Sequence, residues 1–175
     1  MNNTALKIEI ESSQIYVACL SAYNNGILHG KWITPSNDLE ILEQQYDEVR
    51  KTSPMPDSDE LAIHDYNYFP NLGEYPNLEQ IIEVIDAINN HGYDVVNAFI
   101  ECFAMDVMDR IDEAYCGTYD TFKDFAEQDF DERYSNISDT SILHYIDMEK
   151  YESDLRYDYD DYDTKSGVIV FHTNF

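Results

Sequence analysis

IYVACLSAYNNGILHGKWIT, residues Ile15 to Thr34, is the stretch on which the fold turns. Together with the preceding residues from Leu6, its first half alternates apolar and polar side chains, the period of a half-buried strand. Asn24, Asn25 and Gly26 then supply turn chemistry, and GILHGKWIT resumes an extended pattern. Residues 6–34 therefore read as a small antiparallel sheet.

Outward from that sheet, helical patterns take over. Asn37 and Glu40 form a capping-box-like start to a helix over 38–51, with Leu39, Leu42, Tyr46 and Val49 on its buried face. TSPMPDSD breaks the chain and marks a module boundary. ELAIHDY is strand-like, and NYFPNLGEYPN is loop. A second helix starts at Asn77, turns Leu78, Ile81, Ile82, Ile85 and Ile88 inward, and stops at Gly92, which suits a left-handed C-cap. Asp94 then opens a longer helix as its cap, VVNAFIECFAMDVMDRIDEAY, broken at Gly117. A helix over 120–134, a short helix near 147–157 and a final strand GVIVFHTNF complete the pattern. The expected fold is α+β in three small modules: an N-terminal antiparallel sheet plus helix (1–60), a mainly helical middle (61–116) and an α/β C-terminal module (117–175).

Leu, Ile, Val and Phe make up about a quarter of the chain, enough for a core. The formal net charge is −26, from 36 acids against 10 bases, where a small soluble domain ordinarily carries a magnitude of about 2–8. Such self-repulsion costs stability. It suggests a use for the charge against basic surfaces, cations or proteins that hold nucleic acid, the plain alternative being an acidic or halophilic surface. The same charge disfavours direct binding to nucleic acid or to anionic membrane. No segment reads as a membrane span or signal peptide, so the expected location is the cytoplasm.

Familiar chemistry is missing from the motifs. Cys19, Cys102 and Cys116 form no CxxC pair, which argues against a disulfide framework or a zinc site. His29, His64, His91, His144 and His172 show no HxxxH or HExxH spacing. In LRYDYDDYDTKSG, Leu155 to Gly167, a calcium loop counted from Asp158 would need Asp or Asn where Tyr162 stands and glycine where Asp163 stands. Counted from Asp161, it fails at Lys165 and Ser166. No GxSxG, P-loop or Rossmann fingerprint occurs. No catalytic residue, cofactor or metal is expected, and the chain does not read as an enzyme.

The distribution of charge says more than its total. No lysine or arginine stands between Lys51 and Arg110, while twelve acids fall in residues 52–109. Asp120, Asp124, Glu127 and Asp131, spaced four, three and four apart, would share one helix face opposite Phe122 and Phe125. Asp106, Asp109 and Glu113 repeat the spacing earlier, and Asp158, Asp160, Asp161 and Asp163 add a dense patch with tyrosines as anchors beneath. Stripes on helices present one charge per roughly 5 Å, the order of the phosphate spacing of about 3.4 Å along a DNA strand. These eleven carboxylates are the candidate partner-binding residues.

The stretch Ile15–Thr34 resembles the N-terminal signature of the ArdA antirestriction proteins, YVA.L..YN.G.L.G.W. The likeness continues in LAIHDYNYFPNLGEYPNLEQI, residues 61–81, and more weakly in IDMEKYESDLRYDY; residues 1–13 look like an N-terminal extension. The resemblance implies a DNA mimic encoded on a mobile genetic element and folded as an elongated chain of three small α/β modules. It also implies a homodimer that occupies the DNA groove formed by the methyltransferase and specificity subunits of a type I restriction-modification enzyme. The alternative within the same chemistry is an acidic mimic that inhibits another DNA-binding protein, a repressor or a nucleoid protein. Residues Phe171 to Phe175 and the tyrosines of the third module are candidates for a self-association patch or for ordinary core.

Overall fold

The computed structural model describes residues 13–138 and 140–175. Among these it has seven α-helices and two three-stranded antiparallel sheets, an α+β fold. Two compact units divide between Met108 and Asp109.

The first unit begins with β1 (Gln14–Cys19), α1 (Leu20–Asn24), β2 (Gly30–Ile33), α2 (Leu39–Thr52) and β3 (Leu61–Asn67), and continues with α3 (Leu78–His91) and α4 (Tyr93–Phe103). The sheet order is β2-β1-β3. Alternation along β1 sends Ile15, Val17 and Cys19 to one fully buried face, where Ile15 meets Ile33 and Val17 meets Ile63 across the ladders. Helix α2 covers that strand, α3 packs on α2, and α4 on α3. Since β3 joins β1 from beyond residue 60, one sheet draws on both sides of the boundary expected there. The expected strand residues 6–12 lie outside the described residues.

Local details depart from the sequence reading in ways that have physical causes. The two strands are not joined directly through Asn-Asn-Gly. A helical turn, α1, comes first because it buries Ala22 completely, and Gly26 closes it at φ +76°. The cap of α2 is Asp38, whose carboxylate accepts the amides of Glu40 at 2.9 Å and Ile41 at 3.4 Å. Asn37 instead donates to Asp86 of α3 at 2.9 Å. Leu42, Tyr46 and Val49 are buried as the spacing requires, but Leu39 in the first turn is exposed. Asn77 and Gln80 form a reciprocal capping box on α3, satisfying two orphan amides. Gly92 ends α3 at φ +88°, ψ 160°, a region open essentially to glycine alone, and also starts α4, so Asp94 lies in the first turn and not at the cap.

The loop after β3 is folded back on itself. Tyr68 takes φ +49° and its carbonyl accepts the Ser13 hydroxyl at 2.6 Å. Tyr66 stacks on Phe69 and donates its hydroxyl to the Gly73 carbonyl at 2.5 Å. Burial pushes the Tyr66 phenol up to about 12 from the ordinary 10.0. Folding therefore favours the neutral phenol. The stabilisation is fully present below pH 10.0 and is lost as pH rises toward 12. Thermal melts across this range should show stability falling, and Tyr66→Phe should flatten that part of the profile; an unchanged slope in the variant would refute the assignment.

The long helix expected over 95–115 does not form. Helix α4 ends at Phe103, Ala104 adopts φ +66°, and Met105–Arg110 continues as a 3₁₀ segment kinked at Val107. The break lets Met108, 2 % exposed, be buried.

The second unit contains α5 (Ile111–Ala114), β4 (Tyr115–Tyr119), α6 (Phe122–Tyr134), a 3₁₀ segment (Thr140–Tyr145), α7 (Met148–Leu155), β5 (Tyr159–Thr164) and β6 (Gly167–His172). Its sheet order is β4-β6-β5. Val168 and Val170 of β6 pack with Phe122, Phe125, Ala126 and Leu155 from α6 and α7. On the opposite face Ile169 and Phe171 are equally buried, with Tyr115 against the Phe171 ring. Phe171 is therefore core and not a self-association surface, and Phe175 lies half-buried under the Arg110 guanidinium, 4.9 Å from its ring centre.

A polar network joins three elements of this unit. The half-buried Asp129 carboxylate accepts Arg133 Nε at 2.6 Å and the Tyr151 hydroxyl at 2.5 Å, while Arg133 donates to the Tyr159 hydroxyl at 3.1 Å. Burial first, then the bond to Asp129, hold the Tyr151 phenol well above its usual range. The network fixes α7 and β5 against α6, because breaking one member strands a partly buried charge.

Candidate functional site

Side-chain pairing removes most of the positive charge from play. Lys31 reaches Glu48 at 2.5 Å, Arg50 and Lys51 share Asp47 at 2.9 and 3.3 Å, and Arg110 holds Glu113 at 2.8 Å. Lys123 lies 3.6 Å from Glu127, Arg133 holds Asp129, and Arg156 bridges Glu152 at 3.4 Å and Asp161 at 2.5 Å. Hydrogen bonds from Arg50 and Lys51 draw the Asp47 carboxyl below its ordinary range, and Lys31 does the same for Glu48. Exposed pairs of this kind contribute little stability. Their effect is to cancel each base locally, so the field outside the molecule is that of the remaining acids.

Those acids are on the surface. Of the twelve in the base-free run 52–109, eleven are exposed, Glu83 alone being half-buried. Three sit on one face of α3: Glu79, Glu83 and Asp86, spaced four and three apart, opposite the buried Ile81, Ile85 and Ile88. Asp94 and Glu101 lie two turns apart on α4 and are both exposed. None of these five was among the candidates from sequence, although the base-free run that contains them was the available signal.

The eleven expected carboxylates scatter more than their spacing implied. Asp106 and Asp109 are exposed on the 3₁₀ segment on either side of the Val107 kink, and Glu113 lies on α5 bound to Arg110, so these three do not share one α-helical face. Asp120 precedes α6, because the Thr121 hydroxyl caps it by accepting the Asp124 amide at 3.2 Å. The stripe on α6 is thus Asp124, Glu127 and Asp131. Asp124 accepts the Thr121 hydroxyl at 2.5 Å, Glu127 is paired with Lys123, and Asp131 is exposed.

LRYDYDDYDTKSG contains a strand that the sequence reading did not foresee. In β5 successive side chains alternate, so Asp161 and Asp163, paired across the ladder with Val170 and Val168, lie on the sheet face packed by α6 and α7. Asp160, opposite Phe171, lies on the other face. The four aspartates therefore do not form a single facing row. Asp158 precedes the strand and accepts Asn174 Nδ2 at 3.2 Å; Asp161 is held by Arg156, itself 3.9 Å above the Phe122 ring. Asp160 and Asp163 carry no ion pair among the described residues. Tyr159 does anchor the strand, against Phe125 and His172, whereas Tyr157 is 82 % exposed.

Among the described residues no group of three or more His, Cys, Asp or Glu could hold a metal ion, and no helix is long and apolar enough to cross a membrane. The surface is one of carboxylates held on short helices and a strand. The model of the family described as Antirestriction protein (ArdA) matches residues 15–170, from β1 into β6. The chain belongs to the ArdA antirestriction family. A comparison with curated proteins returns no match. ArdA membership makes this an antirestriction protein, of a family that inhibits restriction-modification enzymes and is not itself a family of enzymes.

Proposed function

We propose that the protein is a DNA mimic that acts in the cytoplasm and occupies the DNA groove of a type I restriction-modification enzyme as a homodimer. The observation that carries this reading is the base-free run, whose acids stand almost entirely on the surface with no lysine or arginine among them. A DNA-binding groove grips its substrate mainly through bases that face phosphates. Carboxylates on a folded scaffold satisfy the same bases and offer no bond to cleave. By the duplex figure of one charge per ~1.7 Å, a net charge of −26 corresponds to ~44 Å of B-DNA. Because no base edge is imitated, inhibition is independent of the enzyme's recognition sequence.

A gel-shift competition tests the reading. Added protein should displace duplex DNA from a type I enzyme at low salt, with affinity falling steeply as salt rises. Absence of displacement at low salt would refute it. Displacement of DNA from a repressor or nucleoid protein, with the type I enzyme untouched, would move the target and leave the mimicry.

A further inference from the structure

Residues 23–28, at the end of α1 and on the way to β2, form an exposed loop tip that carries three large apolar side chains. Tyr23 is 53 % exposed, Ile27 41 % and Leu28 87 %, while the neighbouring Ala22 is fully buried and serves the core. Apolar residues scattered singly over a surface need no account, but three within six residues on one tip point to a contact surface.

The tip is also tied down. The Asn25 and Ile27 amides both donate to the Ala22 carbonyl at 3.0 Å, the Gly26 amide donates to the Tyr23 carbonyl at 2.9 Å, and Asn25 Nδ2 donates to the Ser21 carbonyl at 2.8 Å. Just beyond the tip the His29 carbonyl accepts the Cys19 amide at 3.0 Å, and His29 Nε2 lies 2.9 Å from the Val49 carbonyl of α2. His64 of β3 meets the Tyr23 ring edge-on, with 4.9 Å between ring centres. The apolar side chains are thus presented on a hydrogen-bonded backbone, so a partner does not have to order the loop, which removes one cost of association.

Charge selects the partner. Against α1 lies a cleft of about 450 Å³ walled by Ser21, Asn24, Asn25, Asp57, Asp59 and Glu60. Its three acids are exposed and belong to the base-free run. The bases of β2 and α2 are already paired, Lys31 with Glu48, and Arg50 and Lys51 with Asp47. Carboxylates beside the tip repel an anionic membrane and nucleic acid, and a second copy docked tip to tip would set the same three acids against their counterparts. A protein surface that is basic around an apolar patch gains from both features. A DNA-binding groove supplies the basic part.

We propose that the tip formed by Tyr23, Ile27 and Leu28 docks on an apolar patch of the restriction enzyme at the edge of its DNA groove, with Asp57, Asp59 and Glu60 facing the bases along that edge. The assignment rests on the groove-occupying reading above and adds to it a contact that does not depend on phosphate mimicry. Carboxylates compete with DNA for the same bases, whereas burial of an apolar tip gives the inhibitor a hold that salt does not screen.

Competition between the full chain and duplex DNA for a type I enzyme, measured over a series of salt concentrations, tests the assignment. Tyr23→Ala and Leu28→Ser combined in one chain should weaken displacement of DNA about tenfold at every salt concentration. The salt slope should stay that of wild type, because no charge has been removed. Melting temperature and sedimentation should also be unchanged, since both side chains lie on the surface. Equal displacement by variant and wild type would remove the tip and leave the groove reading in place, whereas failure of the wild-type chain to displace DNA at low salt would remove both. A changed oligomeric state in the variant would assign the tip to a second copy, and a lowered melting temperature would assign it to the fold; either result overturns the proposal.

Discussion

Replacing Glu79 and Glu83 by glutamine and Asp86 by asparagine in one chain should lower affinity for a type I enzyme about a hundredfold and leave the protein folded. The three side chains occupy one face of α3 in a region without bases. A carboxylate that meets a base in a partly dried groove contributes on the order of 1 kcal/mol, and three such contacts reach ~3 kcal/mol, or ~100-fold. The folded state should gain slightly, because like charges at these spacings oppose the helix by a few tenths of a kcal/mol per pair. Asparagine at 86 retains an oxygen to accept the Asn37 amide. The expected signature is therefore weaker DNA competition, a shallower salt dependence and an equal or higher melting temperature. Full competition by the triple variant would show that α3 faces away from the enzyme.

Gly167→Ala should have the largest effect on stability. Gly167 follows the two-residue turn Lys165-Ser166 between β5 and β6 and takes φ +134°, which an L side chain rarely adopts. A Cβ at this position would lie 2.3 Å from the Tyr119 carbonyl oxygen of β4, a backbone atom that cannot swing aside. Strain of this kind costs about 1–3 kcal/mol before the steric overlap is counted. A total of ~3 kcal/mol corresponds to a fall in melting temperature of ~15 °C for a unit of this size. Circular dichroism melts would measure it. A change within a few degrees of wild type would mean that β4 can move away from the hairpin at little cost.

These two sites differ in how far the sequence reveals them. Helices α2 and α3 follow from apolar spacing with strong starts, and Asn77 does cap its helix; Asp38, one residue from the expected Asn37, competes for the same orphan amides and wins. The break at Ala104 was hidden because neither glycine nor proline marks it. The α-helical periodicity runs straight through, and burial of Met108 overrides it. Strand β5 was hidden for the converse reason. Aspartate is a poor strand former, and Thr-Lys-Ser-Gly lacks the Asn-Gly signal of a tight hairpin. Here Thr164 supplies the turn, accepting the Ser166 amide at 3.2 Å and donating to the Gly167 carbonyl at 2.7 Å. As for the candidate site, total charge and the base-free run were legible. Facing directions were not, since they depend on where a helix starts, as at Thr121, and on the alternation of a strand whose composition resembles a charged loop.

The position of β5 has a consequence for the protein at high concentration. It is the outer strand of its sheet, and an open strand edge is ordinarily a template on which another chain can add and begin to aggregate. Asp160, Asp161 and Asp163 stand along this edge and Arg156 neutralises only Asp161, so an approaching strand meets uncompensated charge. Near neutral pH the edge is guarded against the stacking that leads to fibrils.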